Sequence, residues 1–156
     1  MYPPTHFLAG LTIGAVGAKI GFFDTQEAFS LAALAILIDL DHYIYFICKH
    51  KSFSLVKAWQ SALNKREEGQ RTVIHHAIGF FIFTAVLIGL WFIDQSWSLL
   101  LGLAYYSHIL LDYLPIESKH VNFSILKLNF HLSYQEIILD LILLGFSVYL
   151  LCLSIT

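Results

Sequence analysis

Charge is what this sequence has least of. Only 13% of its 156 residues are Asp, Glu, Lys or Arg, about half the share usual in a soluble domain. With 58% of residues hydrophobic and a mean hydropathy of +0.71, the chain has too little polar surface to cover itself in water. Run length excludes a merely apolar soluble core, because near-continuous apolar stretches of about 20 residues recur and match the bilayer interior. The nine basic residues form no broad face of the kind that tracks nucleic acid. The net charge of −2 favours no partner. Both cysteines, Cys48 and Cys152, lie in apolar segments and read as reduced, structural residues. No basic n-region or small-residue cleavage site precedes the first apolar stretch, so it is expected to be retained. Repeats and low-complexity stretches are lacking too, which leaves a single domain over residues 1–156.

Five apolar segments are present. They run from about Thr5 to Ala18, with extension through Phe22 open, then Ala28 to Cys48, Val73 to Ile93, Trp97 to Leu114 and Tyr134 to Ile155. The first is rich in Gly and Ala, which suits close helix packing in lipid. The fourth ends at Pro115, where a helix should stop. The expected fold is therefore all-α: a polytopic membrane protein forming a compact bundle of about five transmembrane helices. Lys49, Lys51, Lys57, Lys65, Arg66 and Arg71 lie between segments two and three, Lys119 and Lys127 between four and five, and Lys19 alone between one and two. The positive-inside rule then puts the N-terminus and both long loops in the cytoplasm. Within the first long loop, Phe53, Val56, Trp59 and Leu63 recur at helical spacing, which suits a helix lying on the membrane surface. From Val121 to Leu132 apolar residues partly alternate, the pattern of an extended segment over the site.

On this topology the polar intramembrane residues share one layer. His6 opens segment one; Asp39, Asp41 and His42 lie in the cytoplasmic half of segment two; His75 and His76 open segment three. His108 and Asp112 fall toward the cytoplasmic end of segment four, and Glu136 opens segment five. An ionised carboxylate at the bilayer centre costs about 2.5–3.5 kcal/mol on insertion scales, so such groups rarely occur without a purpose. A shared divalent cation offsets that cost. His108 and Asp112 are four apart and share a helical face, the strongest pair; Asp39 and His42 are three apart and do the same. Asp41 points away from Asp39 if the helix is regular. Imidazole with carboxylate suits Zn²⁺, Mn²⁺ or Fe²⁺ better than Ca²⁺ or Mg²⁺, and no thiol is near. His50 and His131 read as inert interfacial residues, His76 as a neighbour of His75, and Asp140 as a hydrogen-bonding partner for another helix.

The motifs THFLAG (Thr5–Gly10), DLDH (Asp39–His42), RTVIHH (Arg71–His76) and YSHILLDYL (Tyr106–Leu114), in that order, resemble the YdjM family. Its members are described as inner-membrane-associated metal-dependent hydrolases, some named for LexA binding. The order is also similar to that of the zinc-dependent phospholipase C and P1 nuclease group. The resemblance implies that His6, Asp39, His75, His108 and Asp112 are metal ligands, and that Asp41, His42 and Glu136 are ligands or partners of ligands. Two departures stand out: Ile38 precedes the first acid where the family usually has proline, and Gln70-Arg71 replaces a frequent His-Arg. His120, His131 and Glu136 do not match the spacing a third ion would need, so one or two ions are expected.

Taken together, the expectation is a membrane-embedded metal-dependent hydrolase whose polar pocket opens to the cytoplasm. The metal would lower the pKa of a bound water and polarise a phosphoryl oxygen. Asp39 or Asp41 would accept the proton, and Arg71 would fork onto a phosphate. The depth of the site suggests a lipid or other amphiphile as substrate, with membrane lipids as neighbours. A metal-stabilised scaffold for a partner protein and a metal or solute transporter are the alternatives. The one-sided placement of the polar groups argues against transport, and the scattered histidines against a diiron oxidase.

Overall fold

The computed structural model describes the backbone of residues 2–67, 73–114, 120–125 and 128–155. Seven helices and one β-hairpin make up the described residues: α1 (Pro3–Lys19), α2 (Thr25–Leu37), α3 (Leu40–His50), α4 (Leu55–Glu67), a 3-10 turn (Val73–His75), α5 (Ala77–Trp91), α6 (Gln95–Tyr113), β1 (His120–Ile125), β2 (Leu128–Ser133) and α7 (Tyr134–Ile155). The chain is thus all-α apart from the hairpin. β1 and β2 pair antiparallel, with His120 opposite Ser133 and Ile125 opposite Leu128. That is the segment whose alternation predicts extended backbone.

Local chemistry sets the helix ends. Pro3 opens α1, where its missing N–H costs nothing. Past the other end, Gly21 adopts a positive φ of 76°, and Phe22 N–H turns back to Gly17 O at 2.8 Å. Asp24 caps α2 in a reciprocal pair with Glu27, with contacts of 2.7 and 2.8 Å. Asp94 caps α6 by accepting from Trp97 N at 3.0 Å. α6 stops at Leu114, whose extended ψ of 127° is what the following Pro115 demands.

α1 packs against α2, α6 and α7; α2 also touches α6, and α6 carries α5. The core along α1 is made of small side chains, including Ala9, Gly10, Gly14 and Ala15. The outer surface is the reverse of a soluble protein's. Ile78, Phe81, Ile82, Val86 and Ile88 of α5 are all more than half exposed, as are Leu141, Ile142, Val148 and Tyr149 of α7. Apolar faces this extensive need an apolar solvent. Among the described residues, two stretches are long and apolar enough to cross a membrane, Thr25–His50 and Tyr134–Leu153, and α5 is a shorter apolar helix.

The second apolar segment is not one regular helix. At Asp39 the backbone N–H bonds to Ile36 O (2.9 Å), three residues back, and His42 N–H bonds to Asp39 O in the same way (3.2 Å). This tightening separates α2 from α3. Likewise, the third segment divides into the 3-10 turn and α5, because His76 takes an extended conformation between them. The surface-helix pattern in the first long loop corresponds to α4, with the Trp59 ring tilted against that of Tyr2 at 5.6 Å between centroids. Cys48 and Cys152 are free and exposed.

Candidate metal centre

The helix break between α2 and α3 has two consequences. It turns both acids toward the bundle, correcting the expectation from a regular helix that Asp41 points away from Asp39. Asp39 Oδ1 lies 3.6 Å from His108 Nε2, and Asp41 Oδ2 lies 3.3 Å from His75 Nδ1. It also leaves the Ala35 carbonyl to another donor, since Asp39 N–H has turned to Ile36 O. That donor is His108 Nδ1, at 2.9 Å in a fully buried contact. A carbonyl can only accept, so His108 carries a proton on Nδ1, and Nε2 is the nitrogen that faces the site, with its lone pair available when the ring is neutral. A backbone carbonyl behind a histidine is the usual way proteins fix a metal-binding tautomer.

Around that nitrogen, four segments contribute. α1 supplies His6, the α2–α3 break and the start of α3 supply Asp39, Asp41 and His42, the 3-10 turn supplies His75, and α6 supplies His108 and Asp112. Asp112 is the hub. Its Oδ1 is 3.2 Å from His6 Nε2, and its Oδ2 is 3.1 Å from His75 Nε2 and 3.4 Å from His108 Nε2. The two imidazoles approach each other at 3.1 Å between their Nε2 atoms. Two atoms each bonded at about 2.1 Å to one ion lie about 3.0 Å apart on an octahedral edge and about 3.4 Å apart on a tetrahedral one. The separations around Asp112 and the contact between the His75 and His108 Nε2 atoms fall in that range, and the 3.6 Å from Asp39 to His108 lies just beyond it.

Several of these atoms converge without bonding. Neither ring nitrogen of His6 makes a hydrogen bond among the described residues, although Nε2 is so near Asp112, and Asp39 Oδ2 has no such bond either. His6 is completely buried and stacked on His108, with centroids 3.8 Å apart. Orphaned buried polar atoms are uncommon and costly, and a cation is the partner that lone pairs aimed at one point can share. The donor set therefore fits a divalent metal. Among the described residues, three groups bring one donor atom from each side chain within 4.8 Å of one another: His6, His108 and Asp112; Asp39, His75 and His108; Asp41, His42 and His75. Burial falls from the first to the third, since His6 and His108 are inaccessible while the His42 side chain is 32% exposed. The site opens on the His42 side.

The remaining expected residues divide. Glu136 stands elsewhere: its Oε1 accepts from Tyr2 N–H (2.6 Å) and from Thr5 Oγ1 (3.1 Å), fixing the start of α1 rather than joining the cluster of His and Asp. His76 is exposed and precedes α5, and His50 is an exposed neighbour of Phe46. Arg71 and the side chains of His120 and His131 lie outside the described residues. Tyr105 and Tyr113 of α6 also belong to the site's surroundings, since their hydroxyls donate to Ile74 O (2.9 Å) and His75 O (3.1 Å). Their only sequence signal is that they flank the His108–Asp112 pair.

Neither the curated proteins nor the solved structures give a match to this chain. A family model does, the YdjM inner membrane protein, over residues 1–150. The order of motifs, the lipid-suited surface and this match agree, and the chain belongs to the YdjM inner membrane protein family.

Proposed function

We propose that this protein is a multi-pass, membrane-embedded metal-dependent hydrolase. In this reading about five spans cross the inner membrane, and the N-terminus and the site face the cytoplasm. The site binds one or two divalent ions, Zn²⁺ ahead of Mn²⁺ or Fe²⁺, and the reaction cleaves a phosphoester of a lipid or other amphiphile. One observation carries the metal reading: imidazole and carboxylate groups from four segments converge on one place, and His108 Nδ1 is tied to the Ala35 carbonyl so that Nε2 faces it. The ion count follows from the same geometry. His108 has one nitrogen to give, so it can serve the His6–Asp112 group or the Asp39–His75 group, not both at once. The first and third groups share no residue, so each can take an ion of its own, which supports a count of one or two.

A divalent ion held there supplies Lewis acidity to a phosphoryl oxygen and an ionised water near neutral pH. Asp39 is the side chain best suited to take up a proton, because its Oδ2 is buried and has no hydrogen-bond donor among the described residues. His42, the most exposed member, marks the side from which substrate enters. Exposed Leu40 and Ile44 beside it suit an amphiphile whose polar group reaches the site while its apolar part stays in lipid.

Elemental mass spectrometry on detergent-purified protein tests this directly. One or two equivalents of zinc, manganese or iron are expected in the wild type, and none in His108→Ala, Asp112→Ala. Screening phosphoesters and phospholipids then follows, with Asp39→Asn expected to abolish turnover while keeping metal. A wild type that takes up no metal even after reconstitution sinks the hydrolase reading. Loss of folding in Asp39→Asn would favour a scaffold.

A further inference from the structure

His75 is the one imidazole of the centre that no long helix aims. It ends a three-residue 3-10 turn, and the extended backbone of His76 uncouples that turn from α5. Yet its Nε2 sits 3.1 Å from both Asp112 Oδ2 and His108 Nε2, and its Nδ1 sits 3.3 Å from Asp41 Oδ2. Something outside the turn must hold it.

We infer that Tyr105 and Tyr113 are positioning residues that fix the Val73–His75 turn and so deliver the His75 imidazole to the ligands of α6; this rests on the metal reading above. The two hydroxyls bond to successive carbonyls, Ile74 O and His75 O. One anchor would leave the turn free to rotate about it, whereas two anchors on adjacent peptides fix both place and direction. Both anchors belong to α6, the helix that also carries His108 and Asp112, so a single rigid element gauges three of the groups that meet. The eight-residue step from Tyr105 to Tyr113 spans about 12 Å of helix, bracketing the ligand pair. Tyr105 cannot shift to accommodate the turn. It is completely buried, with its ring stacked on Phe83 of α5 at 4.1 Å between centroids. A simpler role would be to satisfy carbonyls left without helical donors near lipid. That role affects stability alone, and does not single out His75 or the ion.

Full-length Tyr105→Phe, Tyr113→Phe and the double variant separate these roles. With metal stripped by chelator, carbethoxylation of His75 by diethyl pyrocarbonate is followed by peptide fragmentation mass spectrometry. A several-fold faster reaction is expected in the double variant, with the exposed neighbour His76 unchanged as internal reference. Zn²⁺ affinity by chelator competition is expected to fall by about 10- to 100-fold, the usual effect of losing an outer partner of a metal ligand. Unchanged His75 labelling overturns the inference. So does faster labelling with Zn²⁺ affinity within about twofold of wild type, which would leave the tyrosines a purely structural part. A wild type that binds no Zn²⁺ overturns the metal reading instead, and the labelling arm still decides whether the tyrosines set the turn. Should the double variant fail to fold, Tyr113→Phe alone carries both arms, since that ring is already half exposed.

Discussion

The two long seams of α1 are built in opposite ways. Against α2 it presents almost no side chain: a Cβ on Gly10 would lie 2.9 Å from Ala32 Cα, and one on Gly14 only 2.5 Å from Ala28 Cα. Against α7 it presents hydroxyls and a lysine. Thr5 bonds to Glu136 (3.1 Å), Thr12 to Ser147 (2.8 Å), and Lys19 Nζ to the Leu153 carbonyl (3.1 Å). Those three positions are seven apart, about two turns, so they form one stripe. Between helices solvated by lipid, burial of apolar surface supplies no drive, and what remains is close approach or hydrogen bonding. One seam uses each. The first is set by shape and tolerates no added atom, while the second is divided among separable bonds. Between them they hold the helix that carries His6.

The largest effect should come from filling the close seam. Gly14→Leu needs a side chain where the backbone of α2 already stands, and overpacking of that kind costs about 3 kcal/mol. The variant should unfold at a clearly lower temperature or denaturant concentration in detergent, and should lose metal because His6 leaves the centre. A wild-type unfolding midpoint for Gly14→Leu would show that α1 and α2 do not meet so closely, and would remove the contrast between the seams.

Much of this architecture is legible in the sequence, for a physical reason. Apolar run length is enforced by the solvent, so the five segments correspond to α1, α2 with α3, α5, α6 and α7. The four-residue spacing of His108 and Asp112 forces a shared face, and their carboxylate and Nε2 do lie 3.4 Å apart. What could not be read depends on the backbone. Ile38-Asp39-Leu40-Asp41 contains neither proline nor glycine to signal a break, yet the tightened turn there brings both acids to one side. The carbonyls of Ala35, Ile74 and His75 hold the centre in place, and a carbonyl has no letter in a sequence. Glu136 shows the same limit: its layer was legible, but its partner is the N–H of Tyr2.

Glu136 provides the next test, of intermediate size. Glu136→Ala removes the buried carboxylate that accepts from Tyr2 N–H and the Thr5 hydroxyl, which should cost about 1–3 kcal/mol. Glu136→Gln keeps an acceptor oxygen and should lose less. Both variants should keep their metal by elemental analysis, because α1 is fixed by α2 as well. A folded Glu136→Gln without metal would return this residue to the ligand set and tie the polar seam to the chemistry.

The smallest effect should come from the middle of the polar stripe. The Thr12 hydroxyl also reaches Leu8 O of its own helix at 2.8 Å and Leu143 O at 3.4 Å, so it keeps acceptors when Ser147 is removed. A double-mutant cycle with Thr12→Val and Ser147→Ala, read from unfolding in detergent, should give a coupling near the ~0.6 kcal/mol typical of hydrogen bonds between membrane helices. The unfolded chain in a membrane finds other partners for each hydroxyl, which is why so short a contact is worth so little. A coupling of about 2 kcal/mol or more would mean that this bond has no substitute. The seam against α7 would then be as exacting as the one against α2, and α1 would be gripped equally on both sides.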